Sequence, residues 1–250
     1  MHDTFRQKLK RGDRLLGTLI TLPSAEVAEI LAGAGFDWLF IDAEHAPHSL
    51  QDVQRILQAA EPTCPCVVRS PGTDEVWIKR ILDLGPAGVI FPQVNTADDA
   101  RRIVRLCKYP PEGTRSVGIG RAHGYGMNFE NYVRTANEVA AIILQVEHIN
   151  AVNQIDAIVA VPGIDAIFVG PYDLSGSMGK VGQVNDPNVQ HQIEIVRTTC
   201  LNAHMPLGIF GVNVEDLRGF ANRGYALIAA ATDALMLGQA AKETVEGMRT

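Results

Sequence analysis

The chain has 250 residues, of which 46% are hydrophobic and 20% charged, and a formal net charge of −6. This composition supports a large core and excludes a disordered chain, and no uncharged apolar run approaches the roughly 18 residues of a membrane span. The acidic balance, without a basic stripe, gives no support to nucleic-acid binding. Residues 1–11 are polar and mixed in charge, without the apolar core of a signal peptide, so we expect a cytoplasmic protein.

In chain order, short apolar runs alternate with segments of helical period. The predicted strands lie at 16–22, 33–42, 65–69, 85–92, 141–147, 162–170, 205–210 and 224–231. Apolar runs that do not alternate with polar residues are typical of parallel strands covered by helices on both faces. The predicted helices lie near 24–34, with Ser24 as N-cap, and near 49–60, 74–84, 96–107, 149–159, 188–203, 213–223 and 233–248.

Eight such units predict an α/β fold, a closed parallel (β/α)₈ TIM barrel that forms a single domain over 1–250. A doubly wound open sheet is the alternative. Dividing the length by eight gives about 31 residues per unit, which a strand, a helix and two short loops require.

One connection exceeds this length, between the helix ending near Lys108 and the strand starting at Ala141. It is rich in glycine over 113–126, and loops of this length are usually functional or disordered. A helical stretch around Phe129 to Glu138 is predicted to lead the chain into the fifth strand.

The four cysteines match no familiar zinc spacing. We predict that they are free thiols, buried or half-buried, in a reducing compartment.

Active sites of such barrels lie at the carboxyl ends of the strands. Ionisable and polar side chains follow strands two, three, five and six there, namely Asp42, Glu44, His45, Arg69, Gln145, Glu147, Tyr172 and Asp173. Strands seven and eight end with few such groups. The sequence therefore predicts a site on one side of the barrel mouth.

Glu147 and Asp173 end adjacent predicted strands, so both carboxylates could face one cavity. Two carboxylates with water and a chelating substrate suit a hard divalent cation such as Mg²⁺ or Mn²⁺. The alternative is that one or both cap the following helix, for which Asp173 is well placed.

His45 lies beside Asp42 and Glu44 in sequence, an arrangement typical of a general base, and a solvated loop histidine is the alternative. Arg69 leaves a buried strand and needs an anionic partner, either a substrate oxygen or a structural carboxylate. Asp83 lies near the end of a helix, where the helix dipole disfavours negative charge, which suggests a partner.

Five ordered segments carry a resemblance to a known family, at 35–47, 65–69, 109–118, 145–147 and 168–175. The chain resembles the metal-dependent (class II) pyruvate aldolases over about residues 5–245. That family includes 4-hydroxy-2-oxoheptanedioate and 2-dehydro-3-deoxyglucarate aldolases and is related to the citrate lyase β subunit.

The resemblance implies a barrel of the phosphoenolpyruvate/pyruvate-binding type, a divalent metal (Mg²⁺ or Mn²⁺, with Co²⁺ also compatible) and a homohexamer built as a trimer of dimers. The substrate would be a 4-hydroxy-2-oxo acid, cleaved reversibly into pyruvate, or hydroxypyruvate, and an aldehyde. The roles implied are metal binding by Glu147 and Asp173, enolate stabilisation by Arg69, acid–base catalysis by His45 with Asp42 nearby and Asp83 raising its basicity, and substrate binding by Arg69, Gln145, Tyr172 and Asp173.

Two departures concern the substrate. Tyr172 stands where close relatives carry a small residue, and residues 118–126 are richer in glycine than in the dicarboxylate-cleaving members. Two alternatives remain open, a lyase for CoA thioesters of the malyl- or citramalyl-CoA type and a non-catalytic barrel that binds a small oxo acid.

Overall fold

The computed structural model describes residues 3–249, and its eight strands form a closed parallel barrel in the order β1 to β8, as predicted. The strands are β1 (Leu15–Ile20), β2 (Trp38–Asp42), β3 (Cys66–Arg69), β4 (Gly88–Phe91), β5 (Ala141–Val146), β6 (Ala166–Val169), β7 (Leu207–Gly211) and β8 (Leu227–Thr232). Each strand pairs in parallel with the next, and β1 closes the barrel on β8 with a register shift between Gly17 and Leu19. The closed barrel rules out the open-sheet alternative.

The predicted helices are present, with small differences at their ends. The helices are α1 (Phe5–Lys10), α2 (Ala25–Gly33), α3 (Leu50–Ala60), α4 (Glu75–Leu84), α5 (Ala97–Cys107), α6 (Phe129–Val139), α7 (Ile149–Asn153), α8 (Ile155–Val159), α9 (Pro171–Ser177), α10 (Pro187–Asn202), α11 (Val214–Asn222) and α12 (Asp233–Arg249). Ser24 is the N-cap of α2, where its side chain accepts a hydrogen bond from the backbone N–H of Val27. The predicted single helix at 149–159 is two short helices that meet at Gln154.

A first core packs between the strands and the surrounding helices, and a second fills the barrel interior. Helix α1, which the sequence did not predict, belongs to the second core because Phe5 and Leu9 are buried there. Its buried Arg6 donates to Asp165 at 2.9 Å. The helix therefore adds its own apolar side chains to the barrel interior.

Aromatic rings form a column inside the barrel. The ring centroids of Phe5 and Trp38 lie 6.1 Å apart, those of Trp38 and Phe40 lie 5.7 Å apart, and Phe40 meets Phe168 edge to face at 5.6 Å. Gly17 makes room for this column, because a Cβ there would lie 2.5 Å from the Trp38 indole. Large rings thus fill the interior, so it is a packed core rather than a channel.

The long connection between α5 and β5 is ordered and packed against the helices. The backbone N–H groups of Thr114 and Arg115 bind carbonyls of Arg105 and Lys108 at the end of α5. A short 3₁₀ turn at Arg121–His123 follows, with His123 buried, and α6 then leads directly into β5 as predicted. The connection is therefore a structural part of the outer layer.

All four cysteines are free and buried, as predicted.

None of the helices in residues 3–249 has the length and apolar character needed to cross a membrane.

Candidate active site

A cavity of about 160 Å³ opens at the carboxyl ends of the strands, where the sequence predicted the site. Its polar lining residues are His45 after β2, Arg69 at the end of β3, Gln145 on β5, and Tyr172 and Asp173 in α9. Five of the residues predicted at the mouth thus meet around one pocket, which we call the catalytic pocket.

Arg69 is held in place by a buried carboxylate. Asp42 accepts two hydrogen bonds from it, from Nε at 2.9 Å and from Nη2 at 2.7 Å. Burial acts to raise the pKa of Asp42, but the Arg69 guanidinium outweighs it and the pKa lies below its ordinary value. Among the described residues, none accepts a hydrogen bond from Nη1 of Arg69, so this donor is free for a ligand in the pocket.

Asp42 also shapes the loop that carries His45. Its Oδ1 accepts hydrogen bonds from the backbone N–H groups of Glu44 and His45, which closes a tight turn directly after β2. The His45 ring is largely exposed, and its Nε2 lies 3.5 Å from Oε2 of Glu44. Glu44 also pairs with Nε of Arg69 at 3.2 Å, so it links the histidine and the arginine.

Glu147 lies directly after β5 and is only 3% exposed. It accepts hydrogen bonds from the backbone N–H of Gln93 at 2.7 Å and from the side-chain amide of Gln145. Burial, together with the smaller effect of the nearby carboxylates of Glu44 and Asp173, raises the pKa of Glu147 to about 7 against the lowering effect of the Gln93 N–H. Three acidic groups therefore lie close together here with Arg69 as the neighbouring cation.

Asp173 lies in the first turn of α9, a helix that begins with Pro171 and was not predicted from the sequence. The alternative that Asp173 is an N-cap is wrong, because Gly170 occupies that position and no side chain caps the helix. In the described residues the Asp173 carboxylate has no hydrogen-bond partner, and it lines the pocket. It is therefore available to a ligand.

Glu147 and Asp173 fit a hard divalent cation. No group of three or more His, Cys, Asp or Glu ligands occurs in residues 3–249, so protein side chains do not enclose a metal fully. Mg²⁺ is commonly held by one or two carboxylates together with water and substrate oxygens, which suits this pair. Among the described residues, the buried Oε1 of Gln145 has no hydrogen-bond partner, and Gln145 lines the same pocket as Asp173, so the site has room for a further polar or cationic partner.

Asp83 does not lie beside His45 within the chain. It is in the last turn of α4, the helix that leads away from the mouth, and its Oδ1 accepts a hydrogen bond from the buried Arg115 at 2.7 Å. The position of α4 in the outer layer therefore excludes Asp83 from the catalytic pocket of its own chain. The partner expected for it is Arg115.

Three other histidines have structural contacts. His48 Nε2 lies 3.2 Å from the carbonyl oxygen of Ile20, His148 caps α7, and His123 packs edge to face on Tyr132. Glu44, by contrast, is a site residue that received no separate role from the sequence. Its position between two other candidates, Asp42 and His45, was the available signal.

A family model matches residues 16–240, and it is described as HpcH/HpaI aldolase/citrate lyase. The chain belongs to this family. It is 40% identical over 243 residues to a 2-dehydro-3,6-dideoxy-6-sulfogluconate aldolase of Pseudomonas putida, covering 96% of this chain and 95% of the relative. It is 37% identical to a hydroxypyruvate/pyruvate aldolase of Paraburkholderia phytofirmans, with 98% and 97% covered.

A solved structure of an HpcH/HpaI aldolase/citrate lyase family protein from Burkholderia cenocepacia J2315 has the same fold, with a TM-score of 0.95, 36% identity and 98% of both chains covered. The family resemblance, the barrel fold and the aldolase class are thereby confirmed. The alternatives of a CoA-thioester lyase and of a non-catalytic barrel are not favoured by these relatives.

The absence of a side chain at Gly170 leaves room for the Glu147 carboxylate. A Cβ there would lie 2.8 Å from Cβ of Glu147 and 3.0 Å from its Oε2. We expect Gly170→Ala to displace Glu147 and to weaken Mn²⁺ binding by about 10–100-fold, measured by calorimetry. Gly238→Ala, in α12 with open space around its Cβ position, is the control and should bind Mn²⁺ as the wild type does. Equal affinity in both variants would contradict this role for Gly170.

Proposed function

We propose that this chain is a divalent-metal-dependent aldolase that cleaves a 4-hydroxy-2-oxo acid reversibly into pyruvate, or hydroxypyruvate, and an aldehyde. The observation that carries the proposal is the meeting of Arg69, His45, Gln145 and Asp173 around one pocket, with Glu147 directly beside them. Cleavage of the bond between C3 and C4 leaves negative charge on the 2-oxo acid as an enolate. The residues of the pocket are suited to stabilise this charge.

Arg69 supplies a fixed positive charge for the enolate oxygen. Asp42 engages Nε and Nη2, which fixes the plane of the guanidinium and leaves Nη1 to donate to the substrate. A donor that is oriented in advance stabilises developing charge without reorganisation, which makes such groups effective catalysts. Asp42 acts in this proposal as a positioning residue.

His45 is the proposed acid–base residue. In the cleavage direction, its imidazole takes the proton of the C4 hydroxyl as the C3–C4 bond breaks and the aldehyde forms. The protonated His45 then gives a proton to C3 of the enolate, which completes pyruvate and restores the neutral imidazole. Glu44, 3.5 Å from Nε2, orients the ring and stabilises its protonated form.

Glu147 and Asp173 are the residues that would hold the metal, and Mg²⁺ or Mn²⁺ fits their oxygen ligands, with Co²⁺ also compatible. The cation, when bound, would act as a Lewis acid on the 2-oxo acid. Gln145, on β5, and the backbone at Tyr172 and Asp173, after β6, would contact the oxo acid. No lysine lines the catalytic pocket among the described residues, which disfavours a Schiff-base route.

We further propose that the protein acts as a homo-oligomer, for which a hexamer is the form implied by the resemblance. The long connection exposes apolar side chains, with Ile119 75%, Tyr125 61% and Met127 92% exposed. Apolar groups exposed together mark interaction surfaces. Across such an interface, Asp83 could approach the His45 of another subunit.

Removal of the metal is the direct test of this function. After exhaustive EDTA treatment, pyruvate release from a 4-hydroxy-2-oxo acid should fall by at least about 100-fold, because the enolate loses its Lewis acid. Adding back Mg²⁺, Mn²⁺ or Co²⁺ should restore it, and the order of restored rates identifies the preferred metal. Full activity in the metal-free protein would overturn the metal-dependent mechanism.

A further inference from the structure

A second cavity of about 330 Å³ adjoins the catalytic pocket. It lies between the end of β7 and the helices α10 and α11, and we call it the β7 cavity. Pro171, Tyr172 and Phe210 line both the β7 cavity and the catalytic pocket. A molecule bound beside Asp173 can therefore extend past Tyr172 and Phe210 into the second space.

The volumes indicate which part of a substrate each space receives. Pockets for small molecules usually measure about 300–1,000 Å³. The catalytic pocket, at about 160 Å³, is below this range and suits the three-carbon oxo acid. The adjoining β7 cavity provides the room for the remaining carbons, which derive from the aldehyde.

The charged groups of the β7 cavity are unfavourable to an anion. Glu215 and Asp216, in the first turn of α11, both line it. The side chain of Asn213 accepts hydrogen bonds from the backbone N–H groups of these two residues, at 2.8 Å and 3.3 Å. The beginning of α11 is thus already capped and negatively charged, and it offers little to a carboxylate or sulfonate.

The cations nearby already have partners. Arg223 lines the β7 cavity and is bound to Glu194, while Arg69 of the catalytic pocket is bound to Asp42. Lys180, in the loop between α9 and α10, is bound to Asp186 at 2.6 Å. In the part of the chain that the structure describes, no arginine or lysine lining either space lacks a carboxylate partner.

The rest of the wall is apolar or polar without charge. Ile209, Phe210 and Phe220 provide apolar surface, and Asn185 and Gln190 provide amides. Tyr172, 45% exposed, lies where the two spaces meet, and its phenol has no hydrogen-bond partner in residues 3–249. Such a wall accepts a carbon chain and neutral polar groups.

We propose that the β7 cavity binds the aldehyde part of the substrate and selects an uncharged aldehyde over one with an anionic tail. This inference rests on the proposed aldolase function. In the synthetic direction, C3 of pyruvate loses a proton and forms a bond to the aldehyde carbon, whose oxygen takes up a proton to become the C4 hydroxyl. The uncharged chain of the aldehyde then lies against Phe210.

The test compares two aldehydes of equal chain length, butanal and succinic semialdehyde, as acceptors for pyruvate in the Mg²⁺- or Mn²⁺-loaded full-length protein. We expect kcat/KM for butanal to exceed that for succinic semialdehyde by at least about tenfold, because the carboxylate meets Glu215 and Asp216. Exchange of the pyruvate methyl protons in D₂O, measured by NMR without an aldehyde, reports enolate formation separately.

Two matched variants test whether the preference for butanal originates in the β7 cavity. Asp216→Arg should reduce the preference for butanal at least about threefold, because it adds a cation to the wall. Asp156→Arg changes an exposed aspartate in the first turn of α8, away from both spaces, and should leave the preference unchanged. Equal or better use of succinic semialdehyde, with methyl exchange intact, would overturn this inference and leave the aldolase function standing. Absence of methyl exchange would overturn both.

Discussion

Replacement of Arg69 by alanine should reduce kcat for pyruvate release by at least about 10²–10³-fold, the usual loss when one donor to a developing oxyanion is removed. The structure gives the reason, since Nη1 is the donor left free when Asp42 engages Nε and Nη2. The free energy of unfolding of the variant should also be lower than that of the wild type by roughly 3–5 kcal/mol, because the buried Asp42 loses its partner. Steady-state kinetics and urea unfolding measure the two effects.

Two further variants separate charge from geometry at this position. Arg69→Lys keeps a positive charge near Asp42 but cannot bind it with two nitrogens and present a third, so its activity should stay far below wild type. Arg102→Ala removes an arginine anchored to Thr73 outside the pocket and should leave kcat unchanged. Near-normal activity of Arg69→Lys would show that charge alone suffices and would refute the role assigned to Nη1.

Glu147→Gln should abolish metal-dependent turnover and stabilise the metal-free protein at alkaline pH. The substitution removes one of the two carboxylates proposed to hold the cation, so Mn²⁺ affinity should fall at least about 100-fold. The amide fits the same space, because its oxygen can still accept from the Gln93 N–H. Rotation of the Gln145 amide would present its unpartnered Oε1 to the new NH₂ group.

The effect on stability follows from the sign of the pKa change. Burial raises the pKa of Glu147 from 4.5 to about 7, so its contribution to stability is present below pH 4.5 and is lost as the pH rises through 7. A difference of one in pKa corresponds to about 1.4 kcal/mol, which makes the loss roughly 3 kcal/mol by pH 8. Metal-free Glu147→Gln should therefore show a higher Tm than wild type at pH 8 and a similar Tm at pH 4. A lower Tm than wild type at pH 8 would contradict this account.

The fold was predictable because its signals are local and repeated. Apolar runs such as 141–147 lack polar alternation, and caps such as Ser24 mark helix starts. Helix α9 was missed because Pro171, Ser175 and Gly176 are poor signals of a helix interior. Helix α1 was missed because a polar, charged segment gives little sign that Phe5 and Leu9 are buried inside a barrel.

The site was predictable to the extent that strand ends determine it. Parallel strands bring their carboxyl ends together, so Arg69, Gln145 and Asp173 meet without any knowledge of the loops. The surroundings of Asp83 depend on how the long connection folds back, and only the structure shows Arg115 beside it. The β7 cavity likewise results from the packing of α10 and α11, which no sequence spacing specifies.

The column of rings inside the barrel has a consequence for how this enzyme can change its substrate. The guanidinium of Arg69 lies 5.3 Å from the centroid of the Phe40 ring, so Arg69 packs against the same column that begins at Phe5. Because closely packed rings have low compressibility, they restrict how far the Arg69 side chain can move into the barrel. Tyr172 and Asp216, which line the β7 cavity, are not part of this column. Substitutions at Tyr172 or Asp216 can therefore change which aldehyde is accepted, while the rings against which Arg69 packs stay unchanged.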